Sequence, residues 1–290
     1  MTTPHSEPSR VNAATTNPRI LMCPPEFFGI EYEINPWMNC AVQVDHQVAV
    51  GQWEALRSIL ESLGVTIELV DPAPALPDLV FTANAALIYH NRAVLSRFRH
   101  EQRQGEESHF SARLAQLGFS VETLDDELFF EGAGDALFCS DTLFSGYRIR
   151  STALALQSVA EMIDEQVIPL ELIDSRFYHL DTCFCPLSAG QAIWFPGAFD
   201  CYGQEVLRSG IADLIELDES EAVAFGANAV VVGESVVTNA HCPKLHQALR
   251  SRGYEPVETP LWEFVKAGGS AKCLTLRLDG EDAAGWKSSN

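Results

Sequence analysis

The sequence predicts an α/β protein in which one unit, a helix with a few short strands, is used five times. Three observations carry this. A short loop of Asn, Gly, Asp or Ser precedes a hydrophobic strand at five places. They are FTANAALIYHNRAVLS from Phe81, FEGAGDALFCSDTLFSGY from Phe130, HLDTCFCPLSAGQAIWF from His179, FGANAVVVGESVVTNA from Phe225 and GGSAKCLTLRL from Gly268. Their starts lie 49, 49, 46 and 43 residues apart, which is the spacing of a repeat architecture. Helical stripes fall between them, at Glu107–Leu117, Thr152–Ile163, Tyr202–Arg208 and Lys244–Arg252. One helix per unit argues against an all-β blade of four strands. Five αβ units arranged radially would bring their five junctions to one axis. An open doubly wound sheet is the alternative, and its loops would not all meet.

Taken in order, residues 1–18 are rich in Ser, Thr, Pro and Asn. They have no apolar run and read as a disordered lead, not a signal peptide. Arg19–Met22 is a first strand. CPPEFFGIEYEINPWM holds three prolines and a glycine and reads as an irregular loop. Trp53–Leu63 places large apolar residues at 53, 56, 59, 60 and 63, a helical stripe that Gly64 ends. Val65–Val70 alternates as a strand. VTIELVD, FSVETLDD and YEPVETP are strands that close on acid or proline. Cys273 opens a short apolar strand, Leu274–Leu278, and residues 279–290 read as a flexible tail. The whole of 19–278 is expected to be a single catalytic domain.

Net charge is −21. That balance disfavours phosphate backbones and anionic lipid, so neither nucleic acid nor a membrane is an expected partner. No run of about 18 apolar residues is present. The eight cysteines form no CxxC pair and no zinc spacing. They read as reduced, buried residues of a cytoplasmic protein. No P-loop, GxGxxG fingerprint or metal-spaced cluster occurs, so no cofactor and no metal is expected.

A cysteine beside Leu and Thr reads first as a small buried hydrophobe. Its case as a nucleophile rests on what else converges. If the junctions meet, they gather Asn84, Glu131, Asp135, His179, Asp181, Asn228 and Cys273. Thiol, imidazole and carboxylate together can perform nucleophilic and acid–base chemistry. His179 and Asp181 are two apart, and on a strand they would face the same way, with Cys185 further along. Glu131 sits among glycines in EGAGD, and Asn84 heads a buried strand. The bland readings are a satisfied core histidine, a solvated turn and a turn amide. Basic residues are scarce, so the groups Arg97, Arg99, Arg103 and Arg148, Arg150 stand out. They can grip a carboxylate, or be paired at the surface.

With EGAGD, HLDT and GGSAKC in place, the sequence resembles the guanidine-modifying superfamily over about Arg19–Leu278. PPEFFGIEYEINPWM, FTANA, RFRHEQRQGE and GGSAKCLTL look most similar to the catalytic module of arginine dihydrolases. They also resemble dimethylarginine dimethylaminohydrolase-like and amidinotransferase-like proteins. The resemblance implies a five-bladed α/β propeller, the pentein fold, with pseudo-fivefold ββαβ-type repeats. It implies Cys273 as nucleophile and His179 as general acid/base. Glu131 would orient the histidine or contact the guanidinium, and Asp181 would clamp the guanidinium nitrogens. Arg103 and Arg150 would hold the α-carboxylate. Asn35 would touch the substrate's amino-acid end or the loop at the site's mouth.

Asn84 stands where deiminases and dimethylargininases usually carry aspartate. Asparagine can accept from an NH₂ and donate to a ureido oxygen, whereas an ionised aspartate only accepts. The expected activity is therefore hydrolysis of arginine twice over, to ornithine, ammonia and carbon dioxide, with His179 acting first as imidazolium. Arginine deiminase, dimethylargininase, citrulline hydrolase and amidinotransferase are the alternatives. A ligand-binding scaffold with an unreactive Cys273 is the non-enzymatic one. The expected partner is a small guanidino substrate, and a homo-oligomer stays open.

Overall fold

The computed structural model describes residues 17–284. Over these residues the chain is a mixed α/β fold of five three-stranded sheets. The first unit holds β1 (Arg19–Met22) and β2 (Thr66–Leu69). The second holds β3 (Ala86–Tyr89), β4 (Arg92–Leu95) and β5 (Ser120–Glu122). The third holds β6 (Ala136–Cys139), β7 (Thr142–Tyr147) and β8 (Val167–Glu171). The fourth holds β9 (Phe184–Ser188), β10 (Gln191–Trp194) and β11 (Asp213–Glu216). The fifth holds β12 (Val230–Val232), β13 (Ser235–Asn239) and β14 (Glu255–Thr259). The last strand, β15 (Leu276–Arg277), returns to pair with β1, Ile20 opposite Arg277. The first sheet is thus made from both ends of the described chain.

Every sheet repeats one pattern. Its central strand pairs antiparallel on one side and parallel on the other. The antiparallel pairs β3–β4 and β6–β7 are joined by two residues, and His90 and Ser140 take positive φ there (54° and 55°). Such turns match the twist of the strands they join. The parallel pairs need a crossover, and a helix supplies each one. These are α1 (His46–Ser62), α2 (Glu106–Gln116), α3 (Ala153–Ile163), α4 (Cys201–Gly210) and α5 (Pro243–Arg250). Asp45, Thr152 and Asp200 cap α1, α3 and α4 through their side-chain oxygens. The stripe read in α1 buries Trp53, Leu56 and Leu60. No helix among the described residues is long and apolar enough to cross a membrane.

Four expectations need correction. The strand read over Leu274–Leu278 shrinks to Leu276–Arg277, and Cys273 lies in a turn. Its amide is drawn to a side chain, Asn228 Oδ1, instead of a ladder partner. His179 and Asp181 are not on a strand: His179 caps a single 3₁₀ turn, Leu180–Thr182. Of the eight cysteines, Cys40 and Cys201 are exposed. Residues 1–16 and 285–290 lie outside the described ones, so most of the expected lead and half of the expected tail do too. The part from 279 to 284 is packed, with Ala283 and Ala284 buried.

Arg277 is the reason for that packing. Its buried guanidinium bonds Val231 O (2.9 Å), Asp279 Oδ2 (3.1 Å) and Asp282 Oδ1 (2.8 Å). It therefore ties β15 to the neighbouring fifth sheet and to the following turn. Arg277→Ala leaves the Val231 carbonyl without this donor and strips Asp279 and Asp282 of their guanidinium, each keeping one backbone donor, Arg19 N and Gly233 N. The expected cost is on the order of 2–3 kcal/mol, read as a lowered urea midpoint. An unchanged midpoint would show that the pairing of β1 and β15 does not depend on it.

Candidate active site

The five junctions meet through hydrogen bonds between consecutive units. Asn84 Nδ2 donates to Glu131 O (3.3 Å). Leu180 N donates to Asp135 Oδ1 (3.1 Å). Asn228 Nδ2 donates to Asp181 O (2.9 Å). Lys272 N donates to Asn228 O (3.2 Å), and Ala83 N donates to Cys273 O (3.1 Å). The circuit closes. Asn84, Glu131, Asp135, His179, Asp181, Asn228 and Cys273 are all buried. Close approach sets what fits here: a Cβ at Gly134 would collide with the Asn84 amide. Gly268 has φ +86°, and a Cβ there would meet Tyr178 Oη and Asn35 Oδ1. The glycines of KAGGSAK thus make room for neighbouring side chains.

Two side-chain clusters result. In the first, Glu131 Oε2 lies 2.6 Å from His179 Nε2 and accepts from Arg150 (3.0 Å). Its other oxygen accepts from Arg99 N (3.2 Å). Burial alone would raise this carboxyl, but Arg150 and His179 outweigh it and hold it well below the usual range. Burial pushes His179 below the ordinary histidine range, with Glu131 opposing. Burial thus favours the neutral imidazole, and the sequence reading has His179 act first as imidazolium. Ser151 links the cluster onward, accepting from Glu131 N (3.1 Å) and donating to Asp135 Oδ2 (2.6 Å).

The second cluster surrounds the thiol. Cys273 Sγ donates to Asp181 Oδ2 (3.4 Å) and accepts from Asn228 Nδ2 (3.1 Å). Burial raises the thiol well above its ordinary value, and the Asp181 charge adds to this. Burial also pushes Asp181 up to about 7. Asp181 Oδ1 has no partner among the described residues.

A small cavity opens onto Cys273. Asn35, Asp78, Asn84, Arg103, Arg150 and Tyr178 are among its walls. Arg103 is held by Glu106 through two bonds (2.9 and 2.8 Å), and by Asn84 Oδ1 (2.9 Å). Arg150 also bonds Ile34 O (3.0 Å) and lies over the Tyr178 ring, 4.6 Å from its centre. Arg97 and Arg148 pair with Glu107 and Glu171. Arg99 spends its guanidinium on the carbonyls of Arg148 and Ile149. Of these arginines, Arg103 and Arg150 line the cavity. Asn35 braces the mouth loop, donating to Ala267 O (3.0 Å) and accepting from Trp37 N (3.0 Å). Asn84 Oδ1 accepts from Arg103 and one amide N–H donates to Glu131 O, which leaves its second N–H to offer. Cys185 bonds Ala229 O and takes no part.

Asp78 and Tyr178 escaped the sequence reading. Asp78 is fully buried; Oδ2 accepts from Tyr32 (3.0 Å) and Oδ1 has no partner among the described residues. An acid between Pro77 and Leu79, in an otherwise apolar stretch, was the available signal. Among the described residues no three His, Cys, Asp or Glu side chains converge as a metal-holding group.

The chain is 38% identical over 260 residues to the N(G),N(G)-dimethylarginine dimethylaminohydrolase of Mycobacterium tuberculosis, covering 90% of this chain and 85% of that one. The chain belongs to the guanidine-modifying superfamily. It is 46% identical over 265 residues to the bifunctional arginine dihydrolase/ornithine cyclodeaminase ArgZ of Synechocystis, spanning 90% of this chain but 37% of that relative's length. The solved N-terminal domain of ArgZ, a substrate-bound mutant, superimposes with a TM-score of 0.89 at 44% identity. That match covers 92% of this chain and all of that domain. No family model matches the chain.

The raised Asp181 carboxyl gives a pH dependence with a definite sign. A cationic guanidinium favours the ionised acid, so binding releases a proton below about pH 7 and none above it. In Cys273→Ala, which also removes a donor that lowers Asp181, arginine affinity should rise with pH through the range where Asp181 ionises and then level off, by calorimetry. Asp181→Asn should flatten the profile. A parent profile already flat would remove Asp181 from the binding site.

Proposed function

We propose that this chain is an arginine dihydrolase, converting arginine and two waters to ornithine, two ammonia and carbon dioxide. The observation that carries the reading is the orphaned Asp181 Oδ1 beside the Cys273 sulfur. A buried carboxylate oxygen without a donor marks a place for one. A guanidinium N–H supplies it and sets the guanidinium carbon against the thiol. Asp78 Oδ1 offers a second vacant acceptor, suited to the substrate's α-ammonium. The α-carboxylate falls to Arg150 and Arg103, with Asn35 holding the loop around it. The substrate-bound ArgZ domain, described as an arginine dihydrolase, supports the same assignment.

The resting state, a neutral thiol and a neutral imidazole, sets the course of the protons. Sulfur attacks the guanidinium carbon while His179 takes the thiol proton. Glu131 stabilises the imidazolium that forms. His179 then gives that proton to the departing ammonia, leaving a thiouronium on Cys273. Water attacks this adduct and His179 takes its proton, which regenerates the thiol and a ureido group. In the second round sulfur displaces another ammonia, forming a thiocarbamate. Water releases a carbamic acid, which loses carbon dioxide to give ornithine. Thiol, imidazole and carboxylate supply every step, so the chemistry is independent of metal. Asn84, with its oxygen held by Arg103 and an N–H to spare, suits the neutral ureido oxygen of the intermediate.

The closed circuit of junction bonds supports a radial arrangement of the five sheets, a five-bladed α/β propeller. On this reading residues 19–278 form a single catalytic domain in a cytoplasmic enzyme. The test is a product assay by carbon NMR on uniformly labelled arginine. Ornithine with labelled carbon dioxide or bicarbonate is expected, with no accumulating citrulline. Citrulline alone would make the chain a deiminase. Cys273→Ala should abolish turnover, and retained activity would overturn the site. Asn84→Asp should release citrulline; unchanged product would remove Asn84 from the second hydrolysis.

A further inference from the structure

We propose that Asn228 is a catalytic residue, donating a hydrogen bond to the Cys273 sulfur and holding it as the attacking thiolate. The inference rests on the arginine-hydrolase reading of the site. The amide's orientation is fixed independently of the sulfur. Asn228 Oδ1 accepts from two backbone donors, Ser270 N (3.0 Å) and Cys273 N (3.1 Å). The opposite end of the amide must therefore carry the hydrogens. One goes to Asp181 O (2.9 Å), and the other points at Sγ from 3.1 Å.

This contact changes value as the sulfur loses its proton. Asp181 Oδ2 is a good neighbour only for the thiol, since it accepts the S–H. Once the sulfur is anionic, that carboxylate repels it. The Asn228 N–H does the reverse, because a donor to a charged acceptor binds more strongly than one to a neutral acceptor. Sulfur held between an acceptor and a donor is quiet at rest and stabilised when it ionises.

The turn that delivers Asn228 is built at a cost. Phe225 is fully buried and has φ +62°, a left-handed conformation uncommon for a bulky residue. Its ring packs against Trp37 of the mouth loop, with centres 4.9 Å apart, and its carbonyl accepts from Asn228 N (3.0 Å). Strain of this kind persists where surrounding packing enforces it and gathers at functional sites.

The test separates this role from a purely structural one. Cys273 is alkylated with iodoacetamide across pH in ligand-free protein, its peptide being resolved from the other cysteines by mass. In Asn228→Ala the alkylation midpoint should move up by about one pH unit. Its kcat for arginine should fall about tenfold or more, with KM changed less than about threefold. A midpoint equal to that of the parent protein overturns the proposal. Should that variant not fold, the parent protein labelled with ¹⁵N-asparagine decides. The Asn228 side-chain amide protons should shift at the pH where Cys273 titrates, and not in Cys273→Ala. No such step overturns the proposal. A shifted midpoint or a titrating amide in protein that does not turn over arginine would sink the arginine reading and keep the thiolate donor. Turnover with neither effect would sink the donor alone.

Discussion

Five chain reversals, each too short to satisfy its own polar groups, satisfy one another at the centre of this protein. Asn84 reaches the Glu131 carbonyl, Asp135 takes the Leu180 amide, and Asn228 joins Asp181 to the Cys273 turn. The Cys273 carbonyl returns to Ala83. Leaving such buried groups unpaired would cost on the order of 1–3 kcal/mol each. The circuit is therefore strongly specified, and it fixes which side chains can face the cavity. Placement of β15 beside β1 serves the same end, since it brings the last junction next to the second.

The price of this arrangement is a surplus of buried acid. Asp78, Glu106, Glu131, Asp135 and Asp181 are all buried around the cavity and the junctions that frame it, against Arg103 and Arg150 as the guanidinium groups facing them. Glu106 is matched by Arg103, and Glu131 by Arg150 and His179. Asp135 and Asp181 form no ion pair among the described residues, and burial raises both, with Lys272 opposing at Asp181. The surplus falls where a guanidinium would sit. On the arginine-hydrolase reading, a cationic ligand would supply the charge that the protein leaves out.

Much of this was legible in the sequence, because the repeat was. Five loop-to-strand segments at near-constant spacing located the junction residues, and apolar stripes located the crossover helices. The local conformation was not legible. HLDT was read as strand because its residues alternate, yet His179 caps a 3₁₀ turn. Tertiary hydrogen bonds from Asp135 and Asn228 overrode the local preference. Cys273 left its expected strand for the same reason. Asp78 could be marked only as an acid in an apolar stretch, because nothing in LPDLV says that its partner, Tyr32, comes from a loop 46 residues earlier. The arginines were told apart only by their partners, which sequence spacing does not carry.

The proton balance follows from the same burial. A preformed thiolate–imidazolium pair would add two charges to a site already crowded with acid. Burial instead holds Cys273 as thiol and His179 as imidazole. On the proposed reading an arriving guanidinium would change this: its charge favours the thiolate, and Glu131, held low by Arg150 and His179, favours the imidazolium. Nucleophile and general acid are then made together, by one proton transfer, only when the guanidinium is present.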